Sequence, residues 1–445
     1  MLEAYAALVG ILIGAGIFKV TSDAWALTGP SVLLGHLVLA PAVLATSVAY
    51  SVYLSTPLGR EPGGEYTHLS RTFGAFGLAF VGAWLKAISY IGALAFLASA
   101  FADYVIPLGA PLLLPGHRLA LALLSLAAVY LVHVFGVRWF GRAQVAMCAL
   151  LGVSIVVLVV PGLFVIDTDN YRPFFTHGLS GFLACLPPIF FAYAGFESLA
   201  QAAGEVEDST RRLPGIFARG LLGTTAIYLL MTGVALGALP GERLAASPAP
   251  MAEVASAYLH GAAAWFVNLG AVMAITTSLN STMLVPSRLA IVLAADRLAP
   301  AALGRIHPRT GTPVIGLSWT TAVAALLLVL GQVALALNIA VFALVLLYLI
   351  HSAALLLLPR ANPALYRSAS ARVPRGVQVF AASFSIVSMA ALLLVQAAAD
   401  LAVLRRSSVL ERLTRQQLTT VELCLLWAAL GAVLYALGRR RMAEA

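Results

Sequence analysis

Apolar residues run through this chain in long blocks, separated by short polar breaks rich in glycine, proline and arginine. A helix rises about 1.5 Å per residue, so roughly 20 apolar residues cross the hydrocarbon core of a bilayer. The pattern predicts twelve such spans. The first covers about 4–27 and closes at Gly29-Pro30; the second covers about 31–56 and closes at Pro57. A third, over about 73–106, is long enough to tilt. The others fall near 118–136, 143–166, 179–203, 214–239, 262–294, 314–332, 335–358, 376–398 and 419–438. The fold class is therefore all-α integral membrane, with short loops and no separate soluble domain.

Two spans are interrupted. Gly10, Gly14 and Gly16 crowd the first, in Gly10-Ile11-Leu12-Ile13-Gly14-Ala15-Gly16-Ile17-Phe18, and the sixth carries Phe191-Ala192-Tyr193-Ala194-Gly195-Phe196-Glu197. An unpaired peptide group in hydrocarbon costs several kcal/mol, so a backbone opens there only beside protein or a water-filled cavity. Alone, the first stretch has two readings: a helix broken to bind a solute, or small residues that let helices pack closely. The second interruption lies five spans on, which gives the halves opposite orientation. Interrupted helices at matching positions of inverted halves point to a transporter's central site. The predicted organisation is a core over 1–358, with inverted repeats of about 1–170 and 178–358. Two further spans and a short basic tail fill 359–445.

Composition agrees with this picture. Of 445 residues 61% are hydrophobic and 10% charged, and mean hydropathy is +0.95; an average soluble chain carries about 25% charged residues. The net charge of +9 would suggest nucleic acid in a soluble protein. Here the arginines sit between spans, 18 on one side against 7 on the other. That asymmetry sets topology and puts both termini in the cytoplasm of a plasma-membrane protein, with no nucleic-acid partner. Cys148, Cys185 and Cys424 show no metal or disulfide spacing. The start lacks the basic region of a signal peptide, and it lies so near the first span that translation beginning slightly upstream is an open reading.

An opened helix offers amide N–H groups at the start of one half and carbonyls at the end of the other. The first suit a carboxylate and the second an ammonium or bare cation, so two breaks side by side suit a zwitterion. Glu197 is a mid-membrane carboxylate, functional by default and a candidate for proton exchange. Lys86, also within a span, either partners a buried carboxylate or snorkels to an interface; Lys19 follows the first break. Thr276-Thr277-Ser278 either completes an oxygen cage for Na⁺ with carbonyls near Gly10 or Ile13, or back-bonds to its own helix. Tyr193, Phe196, Trp84 and Tyr90 read as core or pocket wall. His36, His133 and His351 are scattered one per span, without HExxH or paired carboxylates, so no enzyme centre, cofactor or bound metal beyond a coupling ion is expected.

These residues resemble the amino acid–polyamine–organocation superfamily, in particular its bacterial amino acid permeases. Gly14-Ala15-Gly16-Ile17-Phe18 with Gly29-Pro30 is similar to the family's first-helix motif, and Gly63-Gly64-Glu65-Tyr66 to its loop between helices two and three. Phe190 to Glu205, running on to Pro214, resembles the sixth helix. Asp296 to Pro313, including His307-Pro308-Arg309-Thr310-Gly311-Thr312-Pro313, resembles the loop after the eighth.

The resemblance implies a ten-helix inverted-repeat core plus two helices. Ile13, Gly14, Ala15, Gly16, Ile17, Ala192, Tyr193, Ala194, Gly195 and Phe196 would form the substrate site. The carboxylate of an amino acid would meet the amides of Ala15, Gly16 and Ile17. Its ammonium would meet carbonyls near Ile11 or Ile13 and in Ala192 to Ala194. Helices one, two, six and seven would rock against the rest, coupled to H⁺ through Glu197 or to Na⁺ through Thr276 and Thr277; Lys86, by its place within a span rather than by the resemblance, is a second proton-coupling candidate. An amino acid or polyamine exchanger and a non-transporting sensor are the alternatives. The lysine that some proton-coupled members carry in the fifth helix is missing around Ala149-Leu150-Leu151-Gly152, and Lys86 has no counterpart in the family pattern.

Overall fold

The first span cannot run straight. Its helix α1 (Leu2–Leu12) stops where Gly14 leaves helical geometry, with φ −140° and ψ −140°. Helical backbone resumes as α2 (Ala15–Phe18) and, past Lys19, as α3 (Val20–Thr28). The computed structural model describes residues 2–109, 112–135, 137–201, 208–371, 373–408, 411–412 and 418–443, and among these every regular element is helical. Glu205, part of the sixth-helix motif, lies outside the described residues.

After Gly29-Pro30-Ser31 come α4 (Val32–Leu54), the short α5 (Glu65–Phe73), α6 (Phe76–Leu108), α7 (Arg118–Phe135) and α8 (Val137–Gly162). The sixth span is α9 (Gly178–Tyr193) and α10 (Ser198–Gln201), on either side of its break. Then follow α11 (Ser209–Ala238), the loop helices α12 (Gly241–Ala246) and α13 (Pro250–Tyr258), and α14 (Ala262–Ala295). The chain continues as α15 (Val314–Val329), α16 (Val333–Ala361), α17 (Pro363–Arg367), α18 (Arg375–Arg406) and α19 (Thr420–Ala443). Among the described residues ten helical stretches are long and apolar enough to cross a membrane, one of them joining α3 to α4, and the shorter apolar stretches Leu8–Phe18 and Val314–Val329 accompany them. This is a multi-pass membrane protein.

Burial sorts the helices. α6 packs on both α14 and α16, α1 on α8 and α14, α3 on α9, and α11 on α4. The outer helices turn large apolar side chains outward instead, among them Leu124 and Leu131 of α7, Val156 of α8, Phe380 and Leu394 of α18, and Leu425 of α19. In a bilayer that face is the solvated one, because lipid is as apolar as leucine. The loop between the second and third spans is more ordered than its glycines suggest. It holds α5, whose Glu65, Tyr66 and His68 are buried against the bundle.

Candidate binding site

The two breaks meet. Gly16 lies so close to the second break that an added Cβ would sit 2.4 Å from the Cα of Ala192. Gly195 holds φ +105°, a conformation that L side chains rarely adopt, and any Cβ there would press on Ile11. Close packing and an opened helix, which the first glycine run offered as alternatives, occur together: the small residues bring two opened backbones face to face. Between the backbones stands Tyr228 of α11, its hydroxyl 2.5 Å from the carbonyl oxygens of both Leu12 and Ala192. One hydroxyl proton is shared between two carbonyls, one from each break.

Beside this junction lies a small cavity of about 30 Å³, roughly the volume one water takes in the liquid. The breaks contribute Leu12, Ala15, Gly16, Ala194 and Gly195 to its wall; α6 contributes Tyr90 and Leu97, and α14 contributes Ser278. The amides of Gly14, Ile17 and Phe18 reach backbone carbonyls at 3.0–3.2 Å. Those of Ala15 and Gly16 open α2, where no preceding turn supplies acceptors. Other expected members stand behind the wall. Ile13 and Ile17 are buried in the core. Tyr193 turns away, its hydroxyl donating to the carbonyl of His36 at 3.2 Å. Phe196 packs among Tyr50, Phe217 and Tyr348. Strand-like alternation is absent here, and helical geometry lets only part of each break face one cavity.

Glu197 is fully buried under the cavity. Its Oε1 accepts from the Tyr90 hydroxyl at 2.6 Å; its Oε2 accepts from the Gly195 amide at 3.0 Å and from the Tyr348 hydroxyl. Lys86 neither snorkels nor touches Glu197. Its Nζ donates to both oxygens of Glu65 at 2.7 and 2.9 Å, with both side chains about 1–2% exposed. Glu65 also accepts from Tyr50 at 2.5 Å and from Gln201 at 3.0 Å. Lys86 lies 5.5 Å from the ring centre of Tyr90, which joins the two networks. Two carboxylates and one ammonium are thus buried together. Next to them His68 Nδ1 and His351 Nε2 are 3.0 Å apart, and burial, followed by the neighbouring His351, holds His68 well below the ordinary histidine range.

The hydroxyl triplet divides between its own helix and the first span. Thr276 bonds back to the carbonyl of Val272 at 2.7 Å and so faces its own helix. Thr277 bonds back to the carbonyl of Ala274 at 2.7 Å and also lies 2.9 Å from that of Gly10, whereas Ser278 reaches across to the carbonyls of Gly10 at 2.8 Å and Ile11 at 3.1 Å. These oxygens are of the hard, neutral kind that suits a weakly held alkali cation. Among the described residues no group of three His, Cys, Asp or Glu side chains could hold a metal. Beside them Gln144 of α8 donates to the carbonyls of Ala6 at 3.2 Å and Thr277 at 3.4 Å, and accepts from Asn280 at 2.9 Å. A neutral amide thus bridges the first and eighth spans, on the same helix as the Ala149-Leu150-Leu151-Gly152 stretch that lacks a lysine. Tyr228, Tyr348, Glu65 and Gln144 were all visible as polar groups in or beside apolar blocks; only their convergence was not.

The family model described as amino acid permease matches residues 1–405. The chain is 30% identical over 318 residues to cationic amino acid transporter 9, chloroplastic, of Arabidopsis thaliana, covering 67% of this chain and 55% of that relative. The chain thus spans little more than half of that relative's length. It is 24% identical over 325 residues to a branched-chain amino acid permease of Bacillus subtilis, covering 69% of each. A methylthioribose transporter of the same organism is 25% identical over 333 residues, covering 71% of each.

Proposed function

Because the chain belongs to the amino acid permease family, we propose that it carries amino acids across the plasma membrane by alternating access, with both termini cytoplasmic, and that the paired breaks recognise the α-ammonium and α-carboxylate. The observation that supports this most is the meeting of both opened backbones at one cavity with Tyr228 shared between them. The amides of Ala15 and Gly16 would take the carboxylate. The carbonyls of Leu12 and Ala192, one of which Tyr228 cannot satisfy at a given moment, would take the ammonium. At about 30 Å³ the cavity as it stands is too small for an amino acid, so a bound substrate would have to be accommodated by movement of the first and sixth spans against α6, α14 and α16.

For coupling, the buried charge count favours H⁺. Glu65 and Glu197 face one Lys86, and an uncompensated buried charge is expensive enough that a proton or a cationic substrate should balance it. Na⁺ held by Thr277 and Ser278 is the second reading, supported by their approach to Gly10.

Uptake of radiolabelled L-amino acids by purified protein in liposomes, under imposed pH or Na⁺ gradients, separates these. A pH gradient should drive accumulation, and Glu197→Gln should abolish that response. If Na⁺ drives instead, Thr277→Ala and Ser278→Ala should each weaken the Na⁺ response while Thr276→Ala leaves it intact. Uptake only when amino acid is present on the far side would make the protein an exchanger. Binding without any movement would overturn transport itself and indicate a sensor.

A further inference from the structure

A second cavity, of about 340 Å³, lies over the first on the side facing away from α5. The same spans line both. On α6, Ala93 and Leu97 face the central cavity, while Phe96 and Ala100, about a turn further along, face the outer one. On α16, Ala340 and Leu344 face the centre and Leu337 the outer space; on α9, Phe191 and Pro188 divide the same way. The rings of Phe96 and Phe191 meet edge to face, with centres 5.2 Å apart, so one aromatic pair stands between the two spaces.

The outer cavity is charged and balanced. Asp103 accepts from Arg118 Nε at 2.6 Å and Nη2 at 3.1 Å and lies 3.7 Å from Lys19 Nζ. Arg118 also donates to Ser99 at 2.7 Å, and Lys19 to the carbonyl of Pro248 at 3.0 Å. Asp23 lines the same cavity, is exposed to it, and makes no hydrogen bond or ion pair among the described residues. Two cations and two carboxylates sum to zero while presenting both signs. That arrangement suits a small molecule that also carries both signs and no net charge. Its volume falls within the ~300–1,000 Å³ typical of small-molecule sites, whereas the central cavity, as it stands, holds about one water.

We propose that this outer cavity is a waiting site for an α-amino acid zwitterion, occupied before the Phe96–Phe191 pair parts. The carboxylate lies toward Lys19 and Arg118 and the ammonium toward Asp23. The proposal rests on the amino acid reading above and adds a second place for the same ligand. Lys19 thereby acquires a role: it stands at the end of α2, between the central break and the entrance.

Equilibrium binding of radiolabelled L-leucine and L-arginine to the full-length protein, alongside uptake of both in liposomes, tests this. The wild type should bind two molecules of the transported amino acid per chain at saturation. Asp23→Asn, at an exposed and unpartnered position, should fold normally and bind one. Its KM for uptake should rise about tenfold or more at similar kcat, since a charge-assisted hydrogen bond is worth roughly 1.5–3 kcal/mol. Asp23→Lys should act in the same direction and more strongly. One molecule bound per wild-type chain, with uptake intact and KM unmoved in both variants, overturns the waiting site and leaves the transport reading standing. No binding and no uptake of any L-amino acid by the wild type overturns the transport reading, and the waiting site with it.

Discussion

Lys86→Met should be among the most damaging single substitutions in this protein. Among the described residues the change removes the only cation within hydrogen-bond reach of Glu65, whose carboxylate is buried with Tyr50 and Gln201 as its other partners. Breaking a buried pair by deleting one member costs about 3–5 kcal/mol, because the other charge is left unpaired, whereas deleting both members can be close to neutral. The pair also joins three parts of the fold: Lys86 on α6, Glu65 at the start of α5, and Gln201 on α10 of the sixth span. Lys86→Met should therefore lower both the yield and the thermal unfolding midpoint of purified protein, and Glu65→Gln should do likewise. The double variant Lys86→Met/Glu65→Gln should recover most of the lost stability. A single variant as stable as the wild type would show that the pair is dispensable.

Gly16→Val should bring uptake to background in a protein that still inserts and folds. Valine keeps the Gly16 amide but places carbon where the backbone of Ala192 already stands, 2.4 Å from an added Cβ. Overpacking of this kind costs about 1–3 kcal/mol and is relieved by backbone shifts, here by pushing the two breaks apart. Gly16→Ala is the sharper comparison. If only the amide mattered, alanine would be tolerated; because the first carbon already collides, alanine should lose most of the binding as well. Unchanged affinity in the alanine variant would mean that the two breaks need not touch.

The contrast between these residues shows what a linear pattern can carry. Apolar block length and glycine interruptions are local features, so the helical membrane fold and both breaks were legible before any coordinate. The convergence of side chains was not. Thr276 and Ser278 are two apart in sequence, yet helical rotation of about 100° per residue leaves one bonded back to Val272 and sends the other across to Gly10. Lys86 reads as an oddity until Glu65, 21 residues earlier, is seen beside it. Its partner lay within the Gly63-Gly64-Glu65-Tyr66 motif, which looked like loop chemistry and turned out to begin a helix tucked into the bundle. Tyr228 is the extreme case: it is 216 residues from Leu12 and 36 from Ala192, and joins both.

The central claim is that opened backbone, rather than any side chain, recognises both ends of an amino acid. Its most direct test is competition against uptake of the best-transported radiolabelled L-amino acid, using the unlabelled amino acid, its methyl ester and its N-acetyl derivative. The ester lacks the carboxylate for the Ala15 and Gly16 amides, and the N-acetyl form lacks the ammonium for the carbonyls of Leu12 and Ala192. With a charge-assisted hydrogen bond worth roughly 1.5–3 kcal/mol, each derivative should compete about 10- to 100-fold more weakly than the parent. Competition by either derivative at the potency of the free amino acid would contradict recognition at the paired breaks.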